Sequence, residues 1–208
     1  LAPSERELAT GFFTTIRRAA GGTLIAVPSS LEYQGELAEM AGHLRAAAAE
    51  TAQPTLKAFL ESRAAALVSN DYYASDVAWM KLDSSIEPTI GPYEVYEDEW
   101  FNYKAGFEAF ITVRDDAETA KLERFGNELQ WLENRLPIDP RYRRKQLGGL
   151  APMRVVNAVF SAGDGNHDVQ TAAFNLPNDE RIVSAMGSKR TMLKNFQEAK
   201  FENALVPI

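Results

Sequence analysis

The sequence has no cysteine and only two histidines among its 208 residues. The first absence removes every C-x-x-C metal or redox motif and any redox indication of compartment, so cytoplasm and periplasm both stay open. The second leaves His43 and His167, and neither belongs to an H-E-x-x-H. His43 lies in the alanine-rich MAGHLRAAAAE and reads as a helix-surface residue. His167 lies in the glycine-rich SAGDGNHDVQ and reads as a solvated loop residue. No acidic stretch has the spacing of a calcium loop. No metal or other cofactor is therefore expected in this chain. Positive charge is sparse as well: 22 Lys and Arg face 29 Asp and Glu, a formal net charge of −7. Phosphate backbones call for clustered cations, so nucleic acid is not an expected partner. The one basic run, Arg141 to Lys145, lies between Pro140 and Gly148-Gly149 and reads as a solvated loop. Long hydrophobic runs are missing too. Nothing approaches the roughly 20 residues of a membrane span, and a membrane is not an expected partner. No signal peptide is visible, and the first residue is Leu1 rather than Met, as in a processed product or a piece of a longer protein.

What is present is an ordinary globular composition on a chain long enough for one core. Ser4 to Arg18 has helical spacing, with Leu8, Phe12, Thr15 and Ile16 on one face, and Gly21-Gly22 stops it. TLIAVPSSLEY is a short extended run or a loop packed on the core. Glu36 to Thr51 is rich in Ala, Leu and Glu and predicts a helix. Pro54 opens a second one, with Leu56, Phe59, Leu60, Ala64 and Leu67 as its buried stripe, ending at Asn70-Asp71. Pro88, Gly91 and Pro92 then exclude a single regular helix. In AGFEAFITVRD, Phe107, Ala109, Ile111 and Val113 alternate with Glu108, Phe110, Thr112 and Arg114, the clearest strand signal in the chain. Asp115-Asp116 caps an amphipathic helix over Ala117 to Arg135, whose stripe includes Leu122, Phe125, Leu129 and Leu132. MRVVNAVFSAGD and QTAAFNLP read as two strands joined by a Gly-Asp-Gly-Asn turn. Asn178 would cap a final helix over Asp179 to Ala204, interrupted near Gly187. The fold class expected is α+β: a helical layer over residues 1–71, then a small mixed or antiparallel sheet and a long C-terminal helix within 72–208, in one compact unit.

Two stretches carry candidate chemistry. QTAAFNLPNDE ends on Asn175 and Asn178 with Pro177 between them. A strand stopped by proline leaves backbone groups unpaired, and asparagine offers both a donor and an acceptor there. PYEVYED sets Glu94 and Tyr96 two apart, which on an extended backbone puts both on one face. Carboxylate, phenol and carboxamides together suit the amine and backbone of a peptide. Plainer roles exist for each: Asn178 as a helix cap, Asn175 as the satisfier of a strand end, Glu94 as a solvated charge, Tyr96 as core. Trp79, Trp100 and Trp131 read as packing residues. A paired-carboxylate hydrolase built on Glu94 and Asp98 is a further reading. The G-x5-E-x7-R-E-x-x-E-E pattern of a Nudix hydrolase is absent.

Glu94, Tyr96 and Asp98, followed by Phe107-Glu108-Ala109-Phe110, resemble the E-x-Y-R-D and F-E-G-F segments of dipeptidyl peptidase III, the M49 zinc metallopeptidases. Asn175-Leu176-Pro177-Asn178, with Gly187, Lys189, Leu193 and Asn195, is similar to the same family's N-I-P-N segment and the helix after it. DVAWMKLDSSIEPTIGPYEVYED resembles a bacterial and plant branch, whose plant members carry a fused Nudix module. The resemblance covers roughly Tyr72 to Ile208. It implies that Glu94, Asn175 and Asn178 hold the amino terminus and backbone of a peptide substrate. It further implies that Tyr96 helps stabilise the reacting carbonyl, and that Ala172 to Asn175 is the sheet edge on which the peptide lies. The family's H-E-x-x-G-H is absent from this sequence, Glu97 replaces the motif arginine, and one extra residue precedes FEAF. The implied function is that of a substrate-holding N-terminal portion, inactive alone, whose complete parent binds zinc through a missing C-terminal half. The alternative is a non-catalytic peptide-binding or structural module, or a protein bearing a Nudix name through the fusion. Loss of the other half would also expose a face able to self-associate.

Overall fold

A computed structural model describes residues 3–147, 153–166 and 171–207. His167 lies outside them. The architecture is α+β, and the chain divides into two units: Leu1–Thr112 with Val159–Gln170, and Val113–Ala158 with Thr171–Ile208. No helix among the described residues is long and apolar enough to cross a membrane.

The first unit opens on α1 (Pro3–Ala9) and a hairpin of β1 (Thr14–Arg18) with β2 (Leu24–Pro28), paired antiparallel from Thr14↔Pro28 to Arg18↔Leu24. The single helix expected over Ser4 to Arg18 therefore ends halfway. Thr14, Thr15 and Ile16 are β-branched and fit a pleated surface better than a helical turn. Gly22, at φ +83°, turns the chain back so that a partner strand is at hand.

After the short α2 (Ser29–Glu32), α3 (Gln34–Glu50) and α4 (Pro54–Ser69) form where the composition asks for helix. The Gln53 side chain accepts from Leu56 N at 2.6 Å, Pro54 occupies the first turn, and Asn70 closes α4 at φ 65°. The Asn70 amide also donates to Phe13 O at 2.9 Å and its oxygen accepts from Ser30 N at 3.1 Å, tying the helix end to the hairpin. Leu37, Ala41, Leu44 and Ala48 of α3 are buried, as are Leu56, Phe59, Leu60, Ala64 and Leu67 of α4. Each large apolar side chain so buried contributes about 1.5–3 kcal/mol. α5 (Tyr73–Met80) packs on α4 and carries Trp79, whose indole N–H donates to the Pro88 carbonyl at 3.1 Å.

The main sheet is mixed, in the order β3 (Ile86–Glu94), β4 (Gly106–Arg114), β5 (Met153–Gly163), β7 (Lys189–Leu193), β6 (Ala173–Leu176). The three expected strands thus share one sheet, yet two details differ from expectation. On β4 the buried face is Glu108, Phe110 and Thr112, not the apolar alternates. Thr112 satisfies its hydroxyl on the Glu87 carbonyl at 2.6 Å. And β5 and β6 are not neighbours, because β7 runs between them, parallel to β5 and antiparallel to β6.

In the second unit, α6 (Asp116–Asn127) is capped by Asp115, whose carboxylate accepts from Glu118 N at 3.0 Å. A break at Glu128 separates it from α7 (Leu129–Glu133), so the expected helix to Arg135 is two pieces. The final helix expected over Asp179 to Ala204 is likewise divided into α8 (Glu180–Met186), β7 and α9 (Lys194–Lys200). Gly187 at φ 77° ends α8, and β7 gains ladder bonds on both sides that a helix there would forgo. Of the tryptophans only Trp79 is core; Trp100 and Trp131 are 39% and 51% exposed.

Candidate functional site

β3 ends on Glu94, and the chain then bends, so Tyr96 stands beyond the strand rather than two along it. The Glu94 carboxylate folds over this bend, accepting from Tyr96 N at 2.7 Å and from Glu97 N at 3.2 Å. Tyr96 itself is 80% exposed, which rules out a core role. Asp98 organises the next turn by accepting from the N–H groups of Trp100, Asn102, Tyr103 and Lys104 at 2.6–3.0 Å. Desolvation pushes its pKa up, and those four bonds outweigh it and hold the carboxyl below the usual range. Lys104 then reaches back to the Ala9 and Gly11 carbonyls and the Thr14 hydroxyl at 2.6–3.0 Å.

Glu94, Glu97, Asp98, Trp100 and Lys104 border a cleft of about 760 Å³ within the first unit, and Tyr96 is not part of its lining. Glu36, Glu94, Glu97, Asp98 and Asp164 line it with one cation, Lys104, against an apolar wall that includes Leu37 and Phe107. Glu108, only 8% exposed, sits behind this rim on β4. Burial, then the charges of Glu94 and Asp164, push its pKa up to about 7. The charge balance suits an ammonium group rather than an anion.

The raised pKa carries a stability prediction. The folded chain holds the Glu108 proton up to about pH 7, whereas an unfolded glutamate releases it near pH 4.3. Glu108 therefore favours the folded state at low pH, and that contribution is lost as pH rises through this window. Glu108→Gln should remove the slope and raise stability above pH 7 by about 1–3 kcal/mol. Urea unfolding of both proteins at pH 5 and pH 8 checks it; a parallel pH dependence would contradict it.

In the second unit Asn175 lies on β6, opposite Arg190 of β7, and is exposed. β6 is the last strand of the sheet, so its outer backbone groups face no further strand among the described residues. The Leu176-Pro177 bond is cis, and Asn178 follows, half-buried. The helix cap is not Asn178 but Asp179, whose carboxylate accepts from Arg181 N at 2.9 Å. Asp wins this position because α8 begins one residue later than expected. Asn195, noted only as part of a motif, clamps β5: its amide donates to Ala158 O at 2.9 Å and its oxygen accepts from Ala158 N at 3.0 Å. This continues the contact between the two segments two residues beyond the Val156↔Leu193 pair. Glu94 and Tyr96 thus belong to the first unit, Asn175 and Asn178 to the second.

Sequence reasoning passed over Arg63 and gave Glu108 no role beyond its place in a strand and a motif. The signals were there. Arg63 stands between Leu60 and Ala64 at the spacing of the α4 stripe, and Glu108 shares a strand face with Phe110.

The chain belongs to peptidase family M49, whose family model matches residues 18–208. Among solved structures it is similar to dipeptidyl-peptidase III from Corallococcus sp. strain EGB, with 64% identity and a TM-score of 0.86, covering 100% of this chain and 38% of that one. It is also similar to DPP III from Caldithrix abyssi, with 52% identity and a TM-score of 0.93, covering 99% of this chain and 39% of that one. A curated relative, Nudix hydrolase 3 of Arabidopsis thaliana, is 43% identical over 228 residues, spanning 100% of this chain and 29% of that protein. The chain spans under two fifths of the length of each of these relatives.

Proposed function

We propose that this chain is the substrate-holding portion of a dipeptidyl peptidase III-like zinc peptidase, and that it does not cleave peptides by itself. Glu94 takes the peptide's ammonium group, Asn175 and Asn178 hold its backbone, and Tyr96 acts on the reacting carbonyl. The observation that carries the reading is β6: an edge strand ending in Asn175-Leu176-Pro177-Asn178 is what recognition by strand addition needs. The acidic rim around Glu94 supports the amine role, and the exposed Tyr96 supports a group that meets substrate.

Zinc is implied by the family alone. The residues at hand do not fit it, because no group of three or more His, Cys, Asp or Glu side chains among the described residues could hold a metal ion.

Assaying the chain and the complete protein side by side, both with zinc supplied, tests the reading. Peptide hydrolysis is expected from the complete protein only. Hydrolysis by the chain alone, or one tightly held zinc per chain after dialysis, would contradict it.

A further inference from the structure

Arg63 is the largest charged side chain that the described fold removes entirely from solvent. Its guanidinium carbon lies 5.4 Å, 5.3 Å and 5.2 Å from the ring centroids of Phe59, Tyr72 and Tyr93. Nη2 donates to Asp76 Oδ1 at 2.5 Å and to the Tyr93 hydroxyl. That hydroxyl donates in turn to the same Asp76 oxygen at 2.6 Å. Nε and Nη1 find no acceptor among the described residues. Nη1 lies instead against the backbone at Gly91, where a Cβ would come within 2.8 Å of it.

Stability alone does not call for such an arrangement. Taking a pair of charges out of water carries a large desolvation cost for each ion, and apolar residues of similar volume often do as well or better. Each donor left without a partner adds its own desolvation cost. Buried polar groups that break the local rules in this way are expected at functional or strained positions. What the guanidinium grips is the end of β3. It joins α4 to α5 through Asp76, presses on Gly91 and holds Tyr93. The next residue is Glu94, at the cleft rim, while none of the three network residues lines the cleft.

The geometry points to Arg63, Asp76 and Tyr93 as positioning residues that fix the end of β3, and so set where the Glu94 carboxylate meets a peptide's amino terminus. This rests on the reading of Glu94 given above. Because Tyr93 and Glu94 are adjacent on the strand, a small twist of the backbone that shifts the Tyr93 side chain on one face swings the Glu94 carboxylate on the other. Misplacing a charged hydrogen bond by a fraction of an ångström weakens it without abolishing the fold.

The test uses the complete protein. Tyr93→Phe keeps the ring and removes only the hydroxyl; Arg63→Lys keeps the charge and loses the planar guanidinium that lies against the three rings and Gly91. For both, KM for peptides with a free amino terminus should rise five- to tenfold with kcat within twofold, while the inhibition constants of N-acetylated counterparts stay unchanged. Combined with Glu94→Gln, Tyr93→Phe should add no further loss, since it acts through that carboxylate. A fall in kcat with both peptide classes affected alike would mean a merely structural network and overturn the proposal. Additive losses in the double variant, or an unchanged KM in Tyr93→Phe, would overturn it too. Glu94→Gln run alone separates the two claims. If it fails to distinguish free from acetylated peptides, the Glu94 reading falls and this proposal with it. If it distinguishes them and Tyr93→Phe does not, only the positioning role falls.

Discussion

Glu94→Gln in the complete protein is expected to weaken binding of peptides with a free amino terminus by roughly ten- to a hundredfold, and to leave acetylated peptides nearly unaffected. A hydrogen bond between charged partners contributes about 1.5–3 kcal/mol, and 1.4 kcal/mol is a factor of ten. The amide keeps the shape and loses the charge. Its effect on the local backbone should be modest, because the glutamine oxygen can still accept from Tyr96 N, and only the longer bond from Glu97 N, which the carboxylate takes on its other oxygen, is given up. The surrounding carboxylates, Glu97, Asp98 and Asp164 among them, keep a general attraction for cations in the variant. What remains after the substitution therefore measures that general field, and the difference between the two peptide classes measures Glu94. Titration calorimetry with matched free and acetylated peptides reads both.

The second large effect concerns the buried network. Asp76→Ala should cost about 3–5 kcal/mol of folding stability, because it leaves the Arg63 guanidinium in the core with no carboxylate hydrogen-bonded to it. Tyr93 would lose the acceptor of its hydroxyl in the same step. Replacing both charged partners, as in Arg63→Met with Asp76→Leu, should cost less than Asp76→Ala alone, since no uncompensated charge stays behind. Urea unfolding across the double-mutant cycle gives the coupling directly. Equal or greater loss in the double variant would mean that packing around Phe59 and Tyr72, not charge pairing, dominates there.

The helices α3 and α4 were legible in the sequence because their signals are local: alanine and leucine content, Pro54 at the start, Asn70 at the end. The α4 stripe read from spacing is buried as expected. The strands were harder, since a strand needs a partner that sequence spacing does not name. Thr14 to Arg18 matched a helical stripe by coincidence and pairs with β2 instead. The β4 alternation located the strand, but the apolar set was not the buried one. Which face goes inside is decided by neighbours distant in sequence, here the Glu87 carbonyl under Thr112. β7 was absorbed into a helix because Lys189 to Leu193 has no strong preference of its own and is ordered by β5 and β6. Glu94, Tyr96, Asn175 and Asn178 stood out by motif resemblance. Arg63, Asp76 and Tyr93 did not, because each lies on a different element and only folding brings them together.

Hydrogen exchange on the complete protein, with and without a slowly cleaved peptide carrying a free amino terminus, tests the central claim most directly. Peptide-dependent protection is expected in two segments: the backbone of β6 from Ala173 to Asn175, where a peptide strand would pair, and the bend from Glu94 to Glu97, where its amine would dock. Unchanged exchange in both segments under saturating peptide would contradict the account.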